Sequence, residues 1–231
     1  MKPILSGGVS GADIASGRAA LYDLLVAVFR HLPDRALLGR IGRGEFQGHL
    51  ARCCKLENGR FNAGLDLLTS YQSRIQGRPD EDVLTELSVD RTKILRGTGH
   101  PDLRPPYEGL YRSRKSMGDS VLEIRRFYRK AGLLPDETVG ESPDYLCVEL
   151  DFMKQLCLRE QDRWLHDRDV RETVTQEEEF LKEHLGQWVG DFASAVEKHA
   201  VTDFYRGFSL ILAGFVAMDR EWLEEFSRKM S

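Results

Sequence analysis

A surplus of positive charge is what this sequence most clearly lacks. Its 33 Lys and Arg residues are outnumbered by 37 Asp and Glu, for a formal net charge of −4. A protein that grips phosphate backbones needs cations to displace counterions, so nucleic-acid binding is not expected. Long apolar runs are also missing. The strongest, Gly207 to Met218, is too short to cross a bilayer and is bracketed by Asp203 and Asp219. Met1 to Gly11 holds only Ile4-Leu5 as an apolar patch, without the core of a secretory signal. A soluble cytoplasmic protein with no stable membrane insertion is the expectation. Cysteine is scarce: Cys53, Cys54, Cys147 and Cys157 include no Cys-x-x-Cys pair. That spacing supports neither a zinc knuckle nor a dithiol redox site, and buried free thiols in a reducing compartment fit it better.

Enzyme signatures are absent as well. There is no Gly-x-x-x-x-Gly-Lys phosphate loop, no Gly-x-Ser-x-Gly elbow and no His-Glu-x-x-His. Gly42-Arg43-Gly44 does not continue into a dinucleotide fingerprint. The six histidines (31, 49, 100, 166, 184 and 199) are scattered, and none stands three residues after a Glu as a di-metal bundle requires. No catalytic residue, metal ligand or cofactor is therefore expected. Trp164, Trp188 and Trp222 read as core anchors, and His184 as a residue at the edge of an apolar helix face.

What is present is helical periodicity. At 231 residues, 41% apolar and 30% charged, the chain can bury one substantial core. Residues 1–12 are rich in Gly and Ser and read as flexible; 13–231 reads as one all-helical domain. The first helix is expected from near Ser16 to Phe29, with Leu21, Leu24, Leu25 and Val28 inward. Further helices are expected over Arg35–Ile41, Phe61–Ile75 and 119–131 and, after a turn at Gly77-Arg78-Pro79-Asp80, through Val83, Leu84, Leu87, Ile94 and Leu95, with 45–55 weakly helical. Gly97 to Pro106 is a long irregular link, and a turn surrounds Pro135. Thr175-x-x-Glu178 has the form of a capping box. Behind it, Leu181, His184, Leu185, Trp188, Phe192 and Val196 repeat at helical steps. A last helix starts near Thr202, and its tail, Glu221 to Lys229, is amphipathic. With no β-alternation and no internal repeat, the fold class is all-α, a single bundle of roughly nine helices.

Two stretches stand out. In Glu141-Ser142-Pro143-Asp144-Tyr145, Ser142 has the chemistry of an N-cap, Pro143 suits the first helical position, and Asp144 complements the helix dipole. Leu146, Leu150, Met153 and Cys157 then continue as an apolar stripe. A capped core helix explains these residues but not the concentration of Glu141, Asp144, Tyr145 and Glu149 at one helix mouth. The second stretch, Arg104-Pro105-Pro106-Tyr107-Glu108-Gly109-Leu110-Tyr111, is either a proline-stiffened loop entering a helix or an aromatic, acidic lip beside a groove.

Together these stretches resemble the TorD/DmsD/NarJ-type maturation chaperones. Glu-x-Pro-Asp-Tyr followed by Glu-Leu-x-Phe-Met is similar to the signature of that family, with Tyr145 where His is usual. Pro-Pro-Tyr-Glu-x-Leu-Tyr resembles a second element, with Gly109 in place of Ser. Leu87 to Gly97, Phe127-Tyr128-x-x-Ala131-Gly132-Leu133 and Phe180-Leu181-x-x-His184-Leu185-x-x-Trp188 extend the likeness in order over about residues 18 to 217. Arg91-Thr92-Lys93 departs from the commoner aromatic-Thr-Arg. The resemblance implies an all-helical, non-enzymatic cytoplasmic chaperone. Such a protein binds the twin-arginine leader, or the apo-form, of a molybdopterin oxidoreductase of the dimethyl sulfoxide reductase type before cofactor insertion and export.

It also implies a monomer or a homodimer formed by exchanging helices at the 97–106 link. It raises guanine-nucleotide binding too, for which no phosphate-cradling motif is present. On this reading Glu141, Asp144, Glu108 and Glu149 are candidate partners for leader arginines, which pair bidentately with carboxylates. Pro143, Tyr145, Phe152, Pro106, Tyr107 and Tyr111 are candidates to floor an apolar groove. Tyr145 cannot titrate near neutrality as His would. Two rival functions remain: a ligand-responsive helical regulator reading DNA through Arg125-Arg126-x-x-Arg129-Lys130, and a helical hydrolase using Glu141 and Asp144 as an acid/base pair.

Overall fold

α1 (Gly11–Arg30) opens on a capping box the sequence reading missed. The Ser10 hydroxyl accepts from the Asp13 amide while the Asp13 carboxylate accepts from the Ser10 amide. The helix therefore starts five residues before Ser16. The computed structural model describes residues 10–46, 48, 50, 58–112, 117–134 and 140–230. Most of the 1–12 and 45–55 segments, the turn at Pro135, and Cys53 and Cys54 lie outside these.

α2 (Arg35–Gly42) is capped by Asp34, and α3 (Gly59–Ile75) by Asn58. α4 (Asp80–Arg96) ends on Gly97 in the left-handed conformation, φ 60°. After the link come the one-turn α5 (Glu108–Tyr111), then α6 (Met117–Ala131), α7 (Leu146–Leu165) and α8 (Arg171–Glu183). A 3-10 turn (Leu185–Gln187) leads to α9 (Val189–His199) and the long α10 (Asp203–Met230). Among the described residues the chain forms nine helices of eight residues or more and no strand. No helix of the described residues is long and apolar enough to cross a membrane.

α1 lies along α7, and α3 along α10, which also receives α8 and α9. The α3–α10 seam is set by glycine. A Cβ on Gly64 would stand 2.6 Å from the Gly207 carbonyl oxygen, and one on Gly207 would stand 2.8 Å from that of Gly64. Neither backbone can move aside without parting the helices, so both positions need a missing side chain.

Polar residues fasten this frame at its ends. On α4, buried Asp90 accepts from the amides of Val201 and Thr202, just ahead of α10. Arg91 donates to the last carbonyls of α1, at Phe29 and Arg30, and Lys93 to the carbonyl of His199 at the end of α9. Three neighbouring side chains thus satisfy orphan groups at three helix termini. Deeper in, Arg18 on α1 meets Glu160 of α7, Glu177 of α8 and Asp219 of α10 at 2.5–2.6 Å. All four are buried. Tyr22 adds a hydrogen bond to Asp219 at 2.7 Å.

Three sequence-based helix signals fail. Thr175 is inside α8 rather than at its start, where Asp169 instead accepts from the Arg171 amide. The periodic run from Leu181 to Val196 is two helices, broken at His184 (φ −126°, ψ −101°). Gly186 follows that break so close to α8 that a Cβ would meet the Leu181 carbonyl oxygen at 2.3 Å. Third, α7 begins at Leu146 with Tyr145 as its N-cap, so Ser142 and Pro143 lie ahead of the helix in a turn.

Candidate functional site

The reason α7 starts late lies in the other conspicuous stretch. The Leu146 amide donates to the Pro106 carbonyl at 3.0 Å, and the Glu108 amide to the Asp144 carbonyl at 2.9 Å. These two bonds make an antiparallel bridge between Tyr107 and Tyr145, whose rings sit 5.2 Å apart. Asp144 then does for α5 what no residue of its own segment does. One carboxylate oxygen accepts from the Gly109 amide at 3.3 Å and the other from the Ser142 hydroxyl at 2.5 Å. Ser142 therefore orients the acid that caps α5 instead of capping α7.

Behind the bridge is a buried acidic cluster. Glu108 is fully enclosed, paired with Arg112 one turn on and with His184 Nδ1 at 3.1 Å. Arg112 also donates to the Glu183 carbonyl at 2.8 Å, so α5 is tied to the break between α8 and α9. Glu149 is equally enclosed; one oxygen accepts from Trp188 Nε1 at 3.2 Å and the other has no partner. Burial first, and then the charge of Glu108, push the Glu149 carboxyl well above the usual carboxylate range. Burial likewise raises the Tyr145 hydroxyl, and it raises the Cys147 thiol to about 12, leaving a structural thiol rather than a reactive one.

The ten residues singled out from the sequence divide by exposure. Pro106, Glu108, Asp144, Glu149 and Phe152 are buried. Phe152 packs against Tyr128 and Phe180 with ring centroids 4.5 and 4.6 Å away, inside the core and not at a groove floor. Tyr107, Tyr111, Pro143, Tyr145 and Glu141 are half-buried. Tyr111 stacks toward Trp188 and donates to the Arg104 carbonyl. Glu141 is paired with Arg30 at 2.7 Å.

An open groove of about 670 Å³ runs between α6 and α8. Its lining includes Arg112 and His184, the two partners of Glu108, along with Phe127, Lys130, Glu179 and Glu183. Lys130 reaches Glu179 across it at 3.0 Å. Sequence reading did not pick out Arg112, Glu179 or Glu183, and it placed His184 merely at a helix edge. The Phe-x-x-x-His-Leu-x-x-Trp spacing was the one signal pointing to His184.

A family model described as nitrate reductase delta subunit matches residues 58–194, which takes in the bridge, the acidic cluster and the groove. The chain belongs to this family. Among curated relatives of this NarJ/TorD group, the chaperone protein TorD of Shewanella pealeana is 24% identical over 90% of each chain. TorD of Vibrio vulnificus (strain CMCP6) is 23% identical over 89% of this chain and 94% of its own. The chlorate reductase assembly chaperone protein of Ideonella dechloratans is 29% identical over 53% of this chain and 63% of its own. These relatives are named chaperones, and this chain is, with them, a chaperone and not an enzyme. Its site agrees with that role. Asp144 is held by Ser142 and Gly109, and Glu141 by Arg30, so neither is placed as the acid/base pair of a hydrolase. On α6, Arg126 and Lys130 lie in a groove of mixed charge, where Arg112 and Lys182 alternate with Glu123, Glu179 and Glu183.

Proposed function

We propose that this chain is a cytoplasmic maturation chaperone for a molybdopterin oxidoreductase of the dimethyl sulfoxide reductase type. It holds the twin-arginine leader or the apo-subunit until the cofactor has been inserted. The observation that carries this reading is the groove between α6 and α8, whose walls intersperse the carboxylates of Glu123, Glu179 and Glu183 with Arg126, Lys130 and Lys182, and whose inner side is backed by the Arg112–Glu108–His184 set. Leader guanidiniums pair there with Glu179 and Glu183, displacing Lys130 from Glu179, because charge-assisted bidentate bonds favour arginine over a single ammonium. The half-buried Tyr107, Tyr111, Pro143, Tyr145 and Glu141 contact the apolar part of the client. Glu108, Asp144, Glu149, Pro106 and Phe152 hold that lip in shape from within. Binding and release is the whole mechanism.

Calorimetric titration with a synthetic twin-arginine leader tests this. The double variant Glu179→Gln, Glu183→Gln is expected to bind at least about tenfold more weakly, two lost charge-assisted bonds being worth roughly 1.5–3 kcal/mol each at most. Glu225→Gln, on the far end of α10, is the control. Equal affinity of the double variant and the wild type overturns the groove as the arginine site. Recovery of no molybdoenzyme subunit in a pull-down from the source cell overturns the client class.

A further inference from the structure

We propose that His100, Asp102 and His199 form a site for a zinc-class divalent cation that fastens the 97–106 link to the end of α9. One donor atom from each of these side chains lies within 4.8 Å of the others. The two imidazoles are stacked, 3.9 Å between centroids and 19° between planes, with a nitrogen of each beside the same carboxylate, and the exposed His100 ring turns out of the stack for both lone pairs to meet one ion. Asp102 Oδ2 is 3.4 Å from His100 Nδ1 and 3.8 Å from His199 Nε2. The longer of these is no hydrogen bond. Both approach the edge of a coordination tetrahedron, because metal–ligand bonds of about 2.0–2.2 Å set neighbouring donors about 3.3–3.6 Å apart.

A separate observation points the same way. His199 Nε2 is cut off from solvent and has no hydrogen-bond partner, although it faces the carboxylate. An enclosed ring nitrogen without a partner is costly, and a bound cation satisfies it. His199 is also the last residue of α9, at the negative end of the helix dipole, where Lys93 already donates to its carbonyl. Two imidazoles and one carboxylate suit zinc and its first-row neighbours rather than magnesium or calcium, which prefer oxygen throughout. Three protein ligands leave a fourth position for water.

Two contacts compete with the ion. The Asp102 amide donates to His100 Nδ1 at 3.2 Å, and the Lys198 ammonium sits 3.1 Å from Asp102 Oδ2. Lys198 is largely exposed and able to swing out, so it acts as a resident cation that the metal displaces. The site has a consequence for the groove-side lip, since the link runs directly into Pro105, Pro106, Tyr107 and Glu108. Closing it with an ion immobilises the segment that carries the Tyr107–Tyr145 bridge.

The test uses untagged full-length protein, stripped with chelator and titrated with zinc sulfate against a chromogenic zinc indicator. One equivalent is expected to bind, and the melting temperature to rise with it. His100→Ala and His199→Gln are each expected to weaken binding at least tenfold, and Lys198→Met to tighten it several-fold. Circular dichroism checks that the variants are folded. His100 is exposed enough, at 41%, that its truncation leaves the core untouched, so this variant decides the matter even if His199→Gln misfolds. Absence of a one-to-one site in the wild type, or wild-type affinity in folded His100→Ala, overturns the proposal. Neither result bears on leader binding, which calorimetry reads separately in zinc-free buffer.

Discussion

Replacing Arg18 by Met removes the cation that ties Glu160, Glu177 and Asp219 together, and leaves the three carboxylates enclosed in low dielectric. Breaking a buried ion pair in this way costs about 3–5 kcal/mol. For a chain of this size each kcal/mol lowers the melting temperature by about 2–4 °C, so a drop of roughly 6–20 °C is expected near neutral pH. The pH dependence is the sharper prediction. Burial, the largest influence, already raises Glu160 and Glu177 above the usual carboxylate range while Arg18 pulls them down.

Without Arg18 that restraint is gone, and the folded state binds more protons than the unfolded one once pH passes the ordinary carboxylate value. Stability then falls as pH rises through the elevated folded values, and recovers on acidification. Urea unfolding of wild type and Arg18→Met at pH 5 and pH 8 measures it. The penalty is expected to be clearly smaller at pH 5. A penalty under about 1 kcal/mol at pH 8, the size of an exposed pair, or one independent of pH, refutes the reasoning.

Glu149→Gln keeps an acceptor for Trp188 but removes a charge whose folded pKa is raised, so it is expected to flatten the loss of stability with rising pH. Thermal melts across pH 5–8 check it. Gly207→Val drives a side chain into the Gly64 carbonyl and is expected to cost about 1–3 kcal/mol. By contrast, Gly190→Ala in α9 meets nothing within 4 Å and is expected to be neutral or stabilising in the same melts. Asp144→Ala frees the Gly109 amide and is expected to cost about 0.5–2 kcal/mol as a lost cap. Its leader affinity is expected to fall further than unfolding explains, and unchanged affinity of the folded variant by calorimetry removes Asp144 from the site.

Much of the helical order was legible because apolar spacing is a local property: Leu21, Leu24, Leu25 and Val28 face inward as their period implies. Helix starts were less legible. Ser142-Pro143 carries every local mark of an N-terminus, yet the Leu146 and Glu108 amides find carbonyls on each other's segments, and that non-local pairing delays α7 by three residues. Asp90 and Arg18 went unnoticed for the same reason. Their partners stand more than a hundred residues away, and a lone charge in an apolar helix gives no sign of which distant acids it will meet. At the site, residue types could be read but not exposure. Glu108, Asp144 and Glu149 look like a rim in the sequence and prove to be an interior, because Arg112 and His184 close over Glu108, Trp188 over Glu149, and Asp144 turns in to Gly109 and Ser142.

The 97–106 link divides the chain so that most of the fastenings within the helical frame have one end on each side of it. Arg18, Gly64, Asp90 and Lys93 precede it; Glu160, Glu177, Asp219, Gly207, Thr202 and His199 follow it. Two copies that traded their first halves would rebuild the same interior from both chains, differing from the monomer only in the path of the link. The melting temperature of such a dimer would rise with protein concentration while the monomer's would not, and the two would interchange only by near-complete unfolding. Their proportions in a preparation would then record its folding history rather than its concentration.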